Sequence, residues 1–351
     1  YLGILISYPE SREKSLTRVN VNKSSANGQL SVSFIGAGNF AQSNLLPPLK
    51  GKVSFKNVMT ASPVESKSVA KKFGFENCVS QSEEVLKDTD AVFIATRHDS
   101  HAQYVIESLM AGKHVYVEKP LAVTETELQE IKKTYEHHAA PNGQQVMVGF
   151  NRRFSKPFRD IKEVFSSIKE PLLVTYRVNA GFLPKDHWTQ LPGQGGRIIG
   201  EGCHFIDCMS YLCEGRPVSV FAQSIASQNT QVTDADNVAI TVQFDNGSLG
   251  TLIYTANGDK GLSKEYCEVF GGGRTAIMDN FSSVSFFANG KRNVQKYDGG
   301  KGHTEEVQDF IKNLNGKSEQ TISFECLVDT TLVTLKALDS LKTRLPQPIL
   351  I

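Results

Sequence analysis

No apolar run in the sequence reaches the ~18 residues that a membrane-spanning helix needs, so no membrane is expected as a partner. Neither charge is in excess: 38 Lys and Arg stand against 37 Asp and Glu, a formal net charge of +1. That removes the electrostatic footprint expected of a protein whose main partner is nucleic acid. The six cysteines form no CxxC pair, and Cys203, Cys208 and Cys213 recur every five residues. This spacing suits neither a zinc site nor one helix face, so free thiols of a cytoplasmic protein are expected, and no metal. There is no initiator Met, and no basic segment precedes the short apolar run Leu2 to Ile6, so no signal peptide is read there. Internal repeats and low-complexity tracts are also lacking.

What is present begins at Ser31-Val32-Ser33-Phe34-Ile35, an apolar run rich in β-formers that stops at Gly36-Ala37-Gly38-Asn39-Phe40-Ala41 and gives way to a helix-compatible segment. Strand, glycine turn, helix is the order that seats a dinucleotide. Gly36 permits the tight turn, Gly38 lets a pyrophosphate approach the backbone, and N–H groups at the helix start receive phosphate oxygens, with Asn39 and Phe40 completing the turn. Taken alone, such a glycine pair is also common in ordinary strand–helix turns.

Context strengthens it. From 31 to 150 strands are expected at 31–36, 54–60, 90–96, 113–117 and 145–149, with helices near 40–49, 63–73, 98–112 and 124–138. A short Cys78-Val79 strand is expected before a helix near 81–87. Alternation of this kind implies a parallel, doubly wound sheet with its ligand at the carboxyl ends of the strands, near Gly36, Thr60, Thr96, Glu118 and Phe150. Past 150 the pattern changes to an α+β domain. A helix near 155–168 precedes strands at 171–180, 217–226, 237–244, 248–256, 264–270 and 274–288, with helices near 203–214, 304–315 and 325–342. Asp245-Asn246-Gly247 marks a hairpin. At 351 residues the chain holds two such domains, 30–150 and 151–351. Residues 1–29 read as an extension: one orphan strand at Tyr1–Ser7, then a polar linker from Glu10 to Gln29.

The second strand of a dinucleotide domain often ends in an acid that bonds the adenosine ribose of NAD. Met59-Thr60-Ala61-Ser62 has none. Hydroxyls at Thr60 and Ser62, with Lys67 beyond, could accept the 2′-phosphate of NADP, although no Arg is nearby. They could equally cap the helix that starts at Pro63. NAD against NADP stays open here.

Glu118-Lys119-Pro120 follows the apolar strand Val115-Tyr116-Val117, and Pro120 disfavours helical backbone at Lys119, holding its side chain at the strand's carboxyl end. With GAGNFA at 36–41, Ala95-Thr96 followed by His101, Ala111-Gly112-Lys113-His114-Val115 ahead of Glu118-Lys119-Pro120, Gly149-Phe150-Asn151-Arg152-Arg153-Phe154, and Gly195-Gly196 running to Gly202-Cys203-His204-Phe205-Ile206-Asp207, the sequence resembles the glucose–fructose oxidoreductase and inositol dehydrogenase (Gfo/Idh/MocA) family from Ser31 onward. The resemblance implies a Rossmann domain followed by an open-faced, mainly antiparallel sheet domain, and NAD(P)-dependent oxidation or reduction of a sugar or cyclitol carbon. It implies Lys119 and His204 as the catalytic pair, with Glu118 and Asn151 seating the nicotinamide end. Thr96, at a strand end, is expected at the cofactor, His101 either at the cofactor edge or as a helix cap, and Arg153 is a candidate for the sugar. It also suggests a dimer or tetramer. Members often carry Asp four residues before the histidine; here that place is Gly200, with Glu201 beside it, which puts a relay through an Asp in doubt.

The residue types suit the chemistry. Hydride leaves a carbinol carbon readily only as the hydroxyl loses its proton; a neutral imidazole takes it near pH 7, and an adjacent ammonium favours the alkoxide-like transition state. His204 could instead be a satisfied histidine at a helix start. His137 and His138 close a polar helix and read as solvated, and His98 and His101 as loop or first-turn residues without a catalytic part.

Phe182-Leu183-Pro184-Lys185-Asp186-His187-Trp188 carries the single tryptophan. An indole face suits sugar CH surfaces, and Asp186 and His187 suit hydroxyls, which makes these candidates for substrate binding; a core anchor is the plainer reading of Trp188. Subfamilies that resemble this stretch, with Gly195–Asp207 after it, are associated with surface polysaccharide synthesis and are sometimes fused behind a zinc-type alcohol dehydrogenase-like module. Two other functions remain compatible: a glycosidase that oxidises transiently and re-uses its NADH, and a non-catalytic nucleotide-binding regulator.

Overall fold

Strand β2 of the first sheet ends at the glycine turn and sits in the middle of seven. The strands are β1 (Arg18–Asn20), β2 (Ser31–Ile35), β3 (Ser54–Met59), β4 (Asn77–Val79), β5 (Ala91–Ile94), β6 (His114–Val117) and β7 (Val146–Val148), ordered β1-β4-β3-β2-β5-β6-β7. The computed structural model describes residues 17–22, 28–229, 232–317 and 320–350; Tyr1–Ser7 lies outside them. All pairs are parallel except β1 with β4. Both faces are covered, so the strands read as continuous apolar runs: Val32, Phe34 and Ile35 are fully buried, and the Phe34 ring stacks on Phe93 of the neighbouring strand at 4.9 Å. The chain order reverses between β2 and β5, which opens the crevice there. Helix Pro63–Phe73 is capped by Ser62, whose hydroxyl accepts from Glu65 N, and helix Glu125–Thr134 by a reciprocal capping box between Thr124 and Glu127.

Within the expected linker, residues 18–22 join the sheet. Arg18–Asn20 pairs antiparallel with β4, and Asn22 Nδ2 donates to Phe75 O at 2.7 Å. The sheet edge offers unpaired backbone groups, which a polar segment satisfies as well as an apolar one.

The second sheet has nine strands: β8 (Leu173–Asn179), β9 (Pro217–Ser224), β10 (Asn237–Phe244), β11 (Leu249–Thr255), β12 (Glu265–Gly271), β13 (Arg274–Asp279), β14 (Ser283–Ala288), β15 (Lys291–Lys296) and β16 (Gln347–Pro348). Their order is β15-β14-β13-β12-β8-β11-β10-β9-β16, and the single parallel pair is β8 with β11. The expected strand 274–288 is broken into a hairpin at Asn280 and Phe281, both with left-handed φ (46° and 62°). Strand β15 was not expected: all six residues are exposed, so no alternation marks it, although Asn289-Gly290 ahead of it is a hairpin turn.

One face of this sheet, with Val174, Tyr176, Val178, Ile240, Leu252 and Val269, is buried beneath helices Cys203–Cys213 and Phe324–Thr343. Helix His303–Leu314 returns to the first sheet instead. Phe310 meets Phe93 and Tyr116 at 5.8 and 5.9 Å, and Tyr116 OH donates to Glu306 Oε2 at 2.9 Å. Among the described residues no helix is long and apolar enough to cross a membrane.

Candidate active site

At the crevice beside β2 lies a cleft of about 510 Å³ lined by Gly36, Ala37, Gly38, Thr60, Thr96 and Trp188 among others. Gly36 holds φ at 81°, and a Cβ there would come within 2.5 Å of Ala95 O, so only glycine lets the two strand ends approach. Gly38 differs: a Cβ there would meet nothing within 4 Å. Its bareness leaves the cleft free rather than relieving a clash, which is what a pyrophosphate against the backbone requires. Asn39 and Phe40 begin the helix that follows, and both are exposed. The cleft therefore fits a dinucleotide.

At its ribose end Ser62 caps its helix, while Thr60 Oγ1 donates to Ser62 O at 2.9 Å and lies 3.0 Å from Ser66 Oγ. These hydroxyls are already engaged, and Lys67 is exposed on the helix. The lining residue here is Glu65, a half-buried carboxylate in the first turn of that helix, not singled out from sequence. A carboxylate at this place accepts from ribose hydroxyls and repels a 2′-phosphate. The sequence signal was an acid six residues past β3 rather than at its end.

On the other side of β2, Thr96 Oγ1 accepts from Ser100 Oγ at 2.7 Å and lines the cleft. His101 is fully buried, with Nδ1 2.7 Å from Pro120 O and Nε2 3.3 Å from Thr96 O. It ties the loops after β5 and β6 together and does not face the cleft.

The Lys119-Pro120 peptide is cis, and Lys119 Nζ donates to Gly200 O at 2.9 Å, joining the loop after β6 to the turn that carries the second domain's histidine. His204 lies in the first turn of helix Cys203–Cys213 and is buried, and its Nδ1 has no hydrogen-bond partner among the described residues. Burial, then the charges of Arg152 and Lys119, push its pKa well below 6.5, so the ring is neutral. A neutral imidazole with an orphaned polar atom beside a lysine is poised to exchange a proton with a ligand.

Glu118 packs its carboxylate against Gly149, where a Cβ would lie 2.9 Å from Oε1. Burial pushes it up to about 7, against the pull of the Lys119 ammonium. Its neighbour Glu306, unforeseen from sequence, is fully buried with Oε1 unpartnered among the described residues, and burial together with the Glu118 charge raises it well above the usual carboxylate range. His303 is also new to the site; it lies at 5.7 Å from the Phe40 ring, and burial lowers it to about 4.

Several expected ligand contacts are occupied by the protein itself. Arg153 is buried, its Nε donating to Asp207 Oδ2 at 2.9 Å, and is not available to a sugar; the pair instead fastens the 151–154 turn to the His204 helix. Arg152 does likewise with Glu265 at 2.8 and 3.0 Å. Asn151 Nδ2 donates to Lys301 O at 2.8 Å. Glu201 is engaged by other cations and a phenol: it accepts from Lys264 at 2.6 Å, Tyr254 OH at 2.5 Å and Arg197 at 3.1 Å. Burial alone would raise its pKa, but these partners, the Lys264 ammonium first, hold it at about 2. Asp186 is exposed, and His187 caps the turn Trp188–Gln190. Trp188 lines the dinucleotide cleft. Among the described residues no group of three or more His, Cys, Asp or Glu side chains could hold a metal ion.

Comparison with known proteins agrees with this geometry. Residues 30–150 match the family model described as oxidoreductase family, NAD-binding Rossmann fold, and residues 162–276 match that of the GFO/IDH/MocA C-terminal domain. An uncharacterized oxidoreductase of Bacillus subtilis is 27% identical over 72% of this chain and 74% of its own length. A myo-inositol 2-dehydrogenase of Thermotoga maritima is 24% identical over 74% of this chain and 80% of its own. A levoglucosan dehydrogenase solved with NADH and levoglucosan shares the fold with a TM-score of 0.75 at 21% identity, over 92% of this chain and all of that one. Both halves of the chain thus match one family, and the chain belongs to the Gfo/Idh/MocA oxidoreductases.

Proposed function

We propose that the protein transfers a hydride between NAD and a carbinol carbon of a sugar or cyclitol, with His204 exchanging the hydroxyl proton. The observation that carries this is the pairing of a buried, neutral His204, its Nδ1 orphaned, with Lys119 held at Gly200 O. Bound NAD supplies the hydride acceptor. The protein's part is to hold the carbinol oxygen between imidazole and ammonium, take its proton, and stabilise the negative charge that develops there. Arg153–Asp207 fastens the 151–154 turn to the helix that carries the imidazole, and Arg152–Glu265 fastens the same turn to β12.

The preference for NAD over NADP rests on Glu65 in the cleft and on the internal engagement of Thr60 and Ser62. Residues 182–188 and 195–207 support a finer reading, a dehydrogenase of surface polysaccharide synthesis that works in the cytoplasm, in the company of a zinc-type alcohol dehydrogenase-like module. Exposed Leu173, Ile253 and Phe270 on strands of the second sheet support self-association through its outer face. The deciding experiment is mass spectrometry of the native protein for bound NAD and sugar, followed by a spectrophotometric screen of NAD reduction against cyclitols, sugars and nucleotide sugars. No NADH formation with any polyol, alongside normal NAD binding, would refute the dehydrogenase reading.

A further inference from the structure

Residues 181–197 leave the second sheet after β8 and cross to the first domain's cleft. Glycines in left-handed conformation stand at both ends: Gly181 at φ 74°, and Gly193, Gly195 and Gly196 at 82°, 79° and 65°. Arg197 Nη1 donates to Gly181 O at 2.8 Å, closing the base of the segment, and Gln190 Nε2 holds Asp236 at 2.6 Å. The far end is stapled to the first domain, where His98 Nδ1 lies 2.8 Å from Gln194 O. Between these anchors Trp188 enters the cleft beside Gly36–Gly38, Thr96 and Tyr104. Its ring meets His98 at 4.8 Å, and the Arg97 guanidinium lies 5.9 Å above it.

The segment has little core of its own. Phe182 is 59% exposed and Leu191 41%, so hydrogen bonds and one indole hold it down. A segment with few buried apolar contacts opens at low cost. The cleft portion it meets is continuous with Met59, Thr60, Ala61 and Glu65 at the end of β3, the adenosine side of such folds.

We propose that residues 181–197 form a strap that closes over the adenosine–pyrophosphate half of the bound dinucleotide, with Trp188 as its latch, and thereby sets the rate at which the cofactor exchanges. This rests on the cleft holding NAD. An indole offers a planar apolar face to a base or ribose, and because it comes from the second domain it can arrive after the dinucleotide is seated. Cofactor entry and exit then require the glycine-flanked segment to lift, and the cofactor is retained while sugars come and go.

Trp188 is the single tryptophan of the chain, so indole emission has one source. Stopped-flow mixing of the intact chain with NADH should quench that emission and transfer it to the reduced nicotinamide, and a chase with excess NAD then gives the release rate. In Trp188→Ala, followed through NADH fluorescence, release should be at least about tenfold faster, the order expected of one lost aromatic stacking contact. A second variant leaves Trp188 in place. A Cβ on Gly193 would lie 4.0 Å from Asp99 Cβ, within reach of a disulfide. Gly193→Cys with Asp99→Cys should exchange NADH slowly when oxidised and recover on reduction, a comparison within one protein that cancels the strain at Gly193. Unchanged indole emission at saturating NADH, or equal exchange in oxidised and reduced forms, would overturn the strap. So would a Trp188→Ala variant whose sugar KM rises while NADH release stays as it was, since Trp188 would then belong to the sugar site. Failure of the wild type to bind NADH, read from the dinucleotide's own fluorescence, overturns the cofactor assignment as well and is distinct from the other outcomes.

Discussion

The His98 ring fills the space that any side chain at residue 200 would need: a Cβ on Gly200 would lie 2.7 Å from His98 Cε1. Family resemblance places an aspartate at that position, and here a histidine from the other domain stands in the volume instead. Burial lowers His98 to about 4, so it is a neutral, uncharged occupant. The departure read from sequence as a missing relay thus leaves residue 200 bare against a ring from the other domain.

Gly200→Ala should therefore destabilise by about 1–3 kcal/mol, the usual cost of overpacking. In a His98→Ala background the same change should cost far less, because the clash is gone. A urea-denaturation double-mutant cycle measures the coupling; additive costs would show that the ring and residue 200 do not compete.

His204→Asn should slow sugar oxidation by about 10²–10⁴ while leaving NAD affinity intact. Because burial and neighbouring cations keep the wild-type ring neutral, the acid limb of its kcat/KM profile should lie well below pH 6.5 and vanish in the variant. Lys119→Met should be comparably slow, and the double variant should lose less than the product of both, since both groups serve one oxygen. Near wild-type turnover by His204→Asn would make the histidine a structural residue.

Glu65 makes cofactor choice testable. Calorimetry should show the wild type preferring NAD, and Glu65→Gln should narrow the gap by about two- to fivefold, the worth of one charge contact at a partly exposed site. An unaltered NAD/NADP ratio would mean that another group reads the ribose.

Glu306 should give a pH-dependent stability effect of known sign. Its folded pKa is raised well above its ordinary 4.5, so the unfolded chain releases its proton first and the folded state loses stability as pH rises past that value. Glu306→Gln should therefore melt higher than wild type at pH 8, with the gap closing toward pH 4.5. Glu201 and Glu265, held at about 2 against the desolvation of burial by Lys264 and Arg152 foremost, act oppositely: their stabilisation is present above 4.5 and lost as pH falls toward 2. They are common to both proteins and cancel in the comparison.

The structural places of the glycine turn, Lys119 and His204 were legible because each is fixed by local sequence: a strand that stops, a proline that follows, a helix that starts. His98, Glu65 and Glu306 were not, since their roles depend on which distant backbone lies opposite. His98 matters only because the Gln194 carbonyl faces its ring and because Gly200 is bare. Arg153 misled for the same reason: nothing local announces that Asp207, on another element, will bury its charge. In the fold, strands with alternating burial were readable, whereas Arg18–Asn20 and Lys291–Lys296 are strands by backbone pairing alone.

Helix His303–Leu314 completes the packing of a sheet whose last strand ended at Val148. Phe93 and Tyr116 wait for Phe310, and Tyr116 OH waits for Glu306, across some 190 residues of intervening chain. During synthesis the nucleotide-binding half therefore emerges ahead of the second domain with an open apolar flank, and it is sealed only once the helix at 303–314 has left the ribosome. A nascent chain halted before residue 303 should present that flank to chaperones, and expression of 30–150 alone should give an aggregation-prone fragment rather than a usable dinucleotide-binding module.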